Sequence, residues 1–169
     1  MTVEQAIKSR KSIRKYRDKP VENEKLNLVL EAARLAPSAR NMQDWKFIAV
    51  TDKEKVRQMQ DACMGQKQVG MAPVTLVVCA NNDSSMPCGQ SKTSVDCSIA
   101  MSFMMLQATE LGLGMCWLGA FDEKKVKEVL NIPEDYIVVA VSPLGYADEE
   151  PAAKPRKAFD EVVCFDRFK

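Results

Sequence analysis

The chain has 169 residues, 46% apolar and 28% charged, and its 24 basic and 23 acidic side chains leave a net charge of +1. That balance gives no overall basic field for nucleic acid or an acidic membrane, so any anion must be held by a local cluster. Histidine is absent, which excludes a Ser-His-Asp or Cys-His triad, a His-ligated zinc and a histidine proton relay.

The length fits a single domain, 1–169, that can bury its own core without a staple. Thr2-Val3-Glu4-Gln5 is a capping-box pattern, so a helix is expected from Thr2, with Val3, Ala6, Ile7 and Arg10 along one face. An extended stretch ends at Pro20. Leu26, Val29, Leu30 and Ala33 then recur at helical spacing, and this second helix stops before Pro37. Trp45 to Val50 reads as a short strand, and Asp52 caps a helix carrying Val56, Met59 and Cys63. Val74 to Ala80 is a Val-rich apolar run of the kind found in strands buried on both faces. Asn81 to Ser91 is polar and reads as a loop. A long helix is predicted from Ser94 to Leu111, apolar on more than one face through Ile99, Met101, Met104, Met105 and Ala108. Such a helix lies either in the core or against a second subunit. Met115 to Leu118 reads as a brief strand. Asp122 caps a helix with Val126, Val129 and Leu130, and Ile137 to Leu144 is the last long strand. The tail from Ala147 is irregular and closes on the strand-like Val162-Val163-Cys164-Phe165. Interleaved helices and strands make the class α/β or α+β.

No apolar run approaches the ~18 residues needed to cross a bilayer. Met1 to Lys15 is charged throughout and lacks the apolar stretch of a signal peptide. The six cysteines form no C-x-x-C pair. They read as reduced thiols of a cytoplasmic protein, with Cys79, Cys116 and Cys164 in apolar surroundings and Cys88 the most exposed.

Gly112-Leu113-Gly114 follows a helix and has Trp117 where a dinucleotide fingerprint needs a third small residue. It reads as a helix C-cap and turn. There is no P-loop. Arg10, Lys11, Ser12 and Arg14 fall within five residues. Two guanidinium forks and a hydroxyl match a phosphate chemically, while a solvated basic helix end explains them as well. Lys154-Pro155-Arg156-Lys157 is a second basic knot, or simply surface. Ala36 to Trp45 is rich in small and polar groups that can meet the edge of a planar heterocycle, or merely connect helix to strand.

Taken in order, these segments resemble the nitroreductase family of FMN-dependent oxidoreductases in its short single-domain form. The matching pieces are Arg10-Lys11-Ser12-Ile13-Arg14-Lys15-Tyr16, Ala36-Pro37-Ser38-Ala39-Arg40-Asn41-Met42-Gln43-Asp44-Trp45, Gly112-Leu113-Gly114-Met115-Cys116-Trp117-Leu118-Gly119-Ala120-Phe121, Pro143-Leu144-Gly145-Tyr146 and Lys154-Pro155-Arg156-Lys157. One departure is visible: many members have proline just before the tryptophan of the second motif, and this chain has Asp44. The resemblance implies an α+β, nitroreductase-like fold with a central, mostly antiparallel sheet flanked by helices. It implies a homodimer with FMN at the subunit interface. Arg10, Ser12 and Arg14 would bind the FMN phosphate and ribityl chain, with Lys11 near the ring and Lys154 and Arg156 completing the phosphate clamp. Pro37, Ser38 and Asn41 would reach the flavin from the other subunit. Trp117, Leu118 and Gly119 would line the ring, and Gln66 is a candidate for its pyrimidine edge. The implied activity is ping-pong reduction of nitroaromatic, quinone or related acceptors by NAD(P)H, with no catalytic side chain because the chemistry is the flavin's. Ene reduction, dehalogenation, flavin fragmentation and flavin binding without turnover are the alternatives.

Overall fold

The computed structural model describes residues 1–81 and 84–168. The capping box forms: Gln5 N donates to Thr2 Oγ1 at 3.2 Å and Thr2 N to Gln5 Oε1 at 2.8 Å. It opens α1 (Val3–Ser9). Only Ala6 of the expected apolar face is buried, and Val3 and Ile7 stay exposed. Helix α2 (Asn23–Arg34) buries Leu26, Val29 and Ala33. Strand β1 (Trp45–Val50) follows. Asp52 then accepts from Lys55 N at 2.9 Å to start α3 (Lys53–Ala62). A short helix without clear sequence periodicity, α4 (Lys67–Met71), leads into β2 (Val74–Ala80).

Helix α5 spans Lys92–Glu110, capped by Ser91, whose hydroxyl accepts from Ser94 N. The remaining elements are β3 (Gly114–Met115), α6 (Glu123–Leu130), β4 (Ile137–Gly145) and α7 (Phe159–Val162). The expected Asn81 to Ser91 loop holds no helix over its described part, where Ser85 bridges Ser91; residues 82–83 lie outside the described residues.

The sheet has the order β1-β2-β4-β3 and is antiparallel at every pairing. Strand β2 is buried along its whole length. Its alternate side chains divide between two cores, as the pleat requires. Val74, Leu76, Val78 and Ala80 meet α2 and the inner face of α5. Val77 and Cys79 meet Met59, Val69 and Val126 from α3, α4 and α6. A bulge between Val78 and Cys79 shifts the register, so Val138 and Val141 of β4, three residues apart, both enter the second core.

Three expectations are corrected. The predicted Met115 to Leu118 strand pairs only at Gly114 and Met115. Cys116 N donates to the Ser142 hydroxyl at 3.2 Å instead of a backbone carbonyl, which ends the ladder. Leu118 rejoins through a lone bridge to Val141. The predicted strand-like Val162 to Phe165 pairs with no strand among the described residues, and β propensity without a partner makes no strand. Its first residue instead closes the single turn of α7, where Ala158 N donates to Glu161 at 2.7 Å. Cys164 is therefore exposed, whereas Cys63, Cys79, Cys97 and Cys116 are buried.

The two ends of the chain are stitched together. Ile13 N donates to Met115 O at 3.0 Å, Arg17 N to Tyr146 O at 2.9 Å and Asp148 N to Lys15 O at 2.9 Å. A side chain at Gly114 would put a Cβ 2.5 Å from Ile13 Cγ1. Glycine there is what lets the N-terminal segment lie against β3.

Candidate functional site

The stitching opens a cavity of about 670 Å³ between the N-terminal segment and the tail. Arg10, Lys11, Ser12 and Arg14 line one wall; Lys154 and Arg156, with Pro151 to Ala153, line the other; Ile7 and Leu106 give it an apolar margin. Residues more than 130 positions apart meet because Glu149 acts as a latch: its carboxylate accepts from Arg14 N at 2.5 Å and from Lys15 N at 3.2 Å. Lys11 lies 3.9 Å from Glu150, and Arg17 lies 3.9 Å from Asp148. The acidic triplet Asp148-Glu149-Glu150 is thus a structural element of the cavity wall that the sequence motifs did not mark. Its signal was present, as a short acidic run separated by three residues from the second basic knot.

The latch uses backbone N–H groups, Arg17 outside the cavity and Lys11 on its wall, so it leaves most of the cavity's charge unmatched. Among the described residues, Arg10, Arg14, Lys154 and Arg156 form no ion pair. Cys116 lies behind this wall. Burial pushes its thiol pKa up, while Arg14 and a hydrogen bond with Ser12 pull it down. Tyr16 donates to Ile13 O at 2.6 Å, and burial raises its phenol pKa. Both groups are neutral supports of the wall.

The other expected residues form two further groups. Trp117 packs on the first core. Leu118 is buried; its N donates to Val141 O at 2.8 Å and its O accepts from Val141 N at 3.3 Å. It anchors the segment and leaves Trp117 and Gly119 on either side. Gln66 Nε2 donates to Ala120 O at 2.8 Å, beside Gly119, and Gln66 Oε1 accepts from Gln68 at 2.8 Å. Pro37, Ser38 and Asn41 lie on a turn that does not line the cavity. That turn is tightly specified. Gln43 N donates to Ser38 Oγ at 3.1 Å, and Arg40, Asn41 and Gln43 have φ of 53°, 56° and 54°. Asp44, the departure from the motif, forms a close ion pair with Lys92 of α5. No local pattern links residues so far apart in the chain.

Among the described residues, no cluster of His, Cys, Asp and Glu can hold a metal ion, and no helix is long and apolar enough to cross a membrane. The family model described as "Nitroreductase family" matches residues 7–70 and 65–146. The chain belongs to the nitroreductase family. Relatives in that family include an FMN reductase [NAD(P)H] of Bacillus subtilis, 30% identical over 169 residues that cover 89% of this chain and 68% of its own. An NADH dehydrogenase of Thermus thermophilus is 29% identical over 192 residues, covering 95% and 94%. An FMN-dependent nitroreductase of Clostridium difficile superposes with a TM-score of 0.85 at 36% identity, over 98% of this chain and 99% of its own.

Proposed function

We propose that this nitroreductase-family protein is an FMN-dependent oxidoreductase that uses NAD(P)H to reduce nitroaromatic, quinone or related acceptors in two half-reactions at one pocket. The observation that carries the reading is the cavity's unmatched charge. Four cations without a carboxylate, together with the Ser12 hydroxyl, suit a group with up to two negative charges and several acceptor oxygens. A phosphate monoester such as that of FMN fits. Arg10, Arg14, Lys154 and Arg156 hold the phosphate, Ser12 meets the ribityl side, and Lys11 lies toward the ring. Trp117 and Gly119 line the ring on the Leu118 anchor, with Gln66 at its edge. FMN, when bound, supplies the hydride and electron chemistry, and the chain supplies binding, orientation and electrostatics. That division suits a protein with no histidine to serve as a base.

The functional unit is a homodimer, in which Pro37, Ser38 and Asn41 of one copy complete the other's flavin site. Two observations support this: those residues stand apart from the cavity of their own chain, and Val3, Ile7, Phe103, Phe159, Phe165 and Phe168 are exposed apolar side chains on α1, α5 and the tail. Obligate interfaces resemble a bisected core. The buried free thiols suit the cytoplasm.

The test is the visible spectrum of the purified protein, before and after NADH or NADPH and then a quinone or nitroaromatic. The expected sequence is a flavin band, its bleaching, and its return with acceptor. A protein that takes up no FMN, or a bound flavin that neither nicotinamide bleaches, overturns the proposal.

A further inference from the structure

One face of α5 grips both ends of the turn that carries Ser38 and Asn41. Lys92 and Asp96 are four residues apart, so they stack on one side of the helix. Lys92 Nζ meets the Asp44 carboxylate and also Met42 Sδ at 3.6 Å. The two Asp96 oxygens accept from Ala39 N at 3.1 and 3.2 Å. Both helix residues are buried, at 4% and 7% exposure. Between the gripped ends lie Arg40, Asn41 and Gln43, all with positive φ, a conformation that residues bearing a side chain avoid.

Stability is a poor account of this arrangement. A lysine in the first turn of a helix opposes the helix dipole. Burying its ammonium costs desolvation that one carboxylate barely offsets. A pair that is costly by that measure, placed across a strained turn, serves to select one conformation. The helix can act as the fixed partner because its inner face, through Ala100, Met101 and Met104, is fully buried in the core.

We propose that Lys92 and Asp96 are positioning residues that hold the Ala39–Gln43 turn in its left-handed form, so that Ser38 and Asn41 are presented preformed to a flavin. The holding of the turn stands on the geometry above; its consequence for the flavin rests on the function proposed above. If release lets the turn leave its competent form nine-tenths of the time, apparent FMN affinity falls about tenfold.

Arg40 supplies a readout that does not depend on flavin, because trypsin cuts after it only when the turn opens. Lys92→Met and Asp96→Ala are each expected to speed cleavage after Arg40 by about tenfold or more, with cleavage after Arg57 in α3 unchanged. Lys92→Arg, which keeps the charge, should behave as wild type. The FMN dissociation constant of the first two variants should rise about tenfold. An unchanged rate at Arg40, or equal acceleration at Arg40 and Arg57, overturns the positioning role. Faster cleavage after Arg40 with unchanged FMN affinity leaves the positioning role standing and overturns the flavin reading of Ser38 and Asn41.

Discussion

In the sheet core, β2 sends alternate side chains into two apolar clusters, and partners are nearly complete. Thr75 Oγ1 is the exception, a buried side-chain oxygen with no hydrogen-bond partner among the described residues. In the cavity between residues 10–14 and 151–156 the situation is reversed. Polar groups are abundant, and Arg10, Arg14, Lys154 and Arg156 are left without carboxylates. The core's groups are matched within the chain because water is not available to match them. The cavity's groups face solvent, where on the function proposed above they await an anion. Removing a core group should therefore cost stability, and removing a cavity group should cost binding.

Met104→Ala is the strongest test of the first half. Met104 is fully buried against both α2 and the sheet. Urea unfolding should show a loss of about 2–5 kcal/mol. A loss below ~1 kcal/mol would mean that the core is far more plastic than its burial suggests.

For the cavity, Arg14→Ala or Arg156→Ala should weaken FMN binding by roughly tenfold to a hundredfold, or about 1.4–2.8 kcal/mol. Apo-protein stability should stay within about 0.5 kcal/mol. Riboflavin, which lacks the phosphate, should bind almost equally to variant and wild type, and the double variant should be non-additive. Equal losses for both ligands would erase the distinction between core and cavity.

The core also sets a pH dependence. Burial holds the thiol of Cys63 up at about 11, Cys79 at about 11 and Cys97 at about 12. Their folded values lie above the unfolded value of 9.0, so this contribution is complete below about pH 9 and is lost as pH rises through 11 to 12. Urea midpoints at pH 8 and pH 10 should differ more for the wild-type chain than for Cys97→Ala.

Thr75→Val replaces the unpartnered hydroxyl with a methyl of similar shape and should raise stability by roughly 1 kcal/mol in the same assay. A fall of that size would reveal a polar partner for Thr75. The smallest effect is expected at Cys88, which is exposed. Cys88→Ser should leave turnover and stability within error, because flavin chemistry needs no thiolate.

Helix and strand positions were largely legible because their causes are local. Thr2, Asp52 and Asp122 cap helices through their own side chains, helical spacing of apolar residues marked α2, and apolar runs marked β1, β2 and β4. The failures occurred where the outcome depends on a distant partner. Val162 to Phe165 has strand composition but pairs with no strand among the described residues, and Met115 to Leu118 lost its ladder to a Ser142 hydroxyl. Val3 and Ile7 have helical spacing but find no core within their own chain.

The same division runs through the site. Residue type and order already supplied the chemistry: two basic clusters, a small polar turn and no histidine. Those are properties of side chains and do not depend on what lies beside them. Whether the clusters meet was decided by the Glu149 latch, by the pairing of residues 12–17 with β3 and the exit of β4, and by a glycine that lets backbones approach. Whether the turn at Ser38 is loose or fixed was decided by Lys92 and Asp96, on a helix far along the chain. Charge and propensity are carried by each residue separately. Compensation of a charge, and hence what it is free to bind, exists only between residues that folding has brought together.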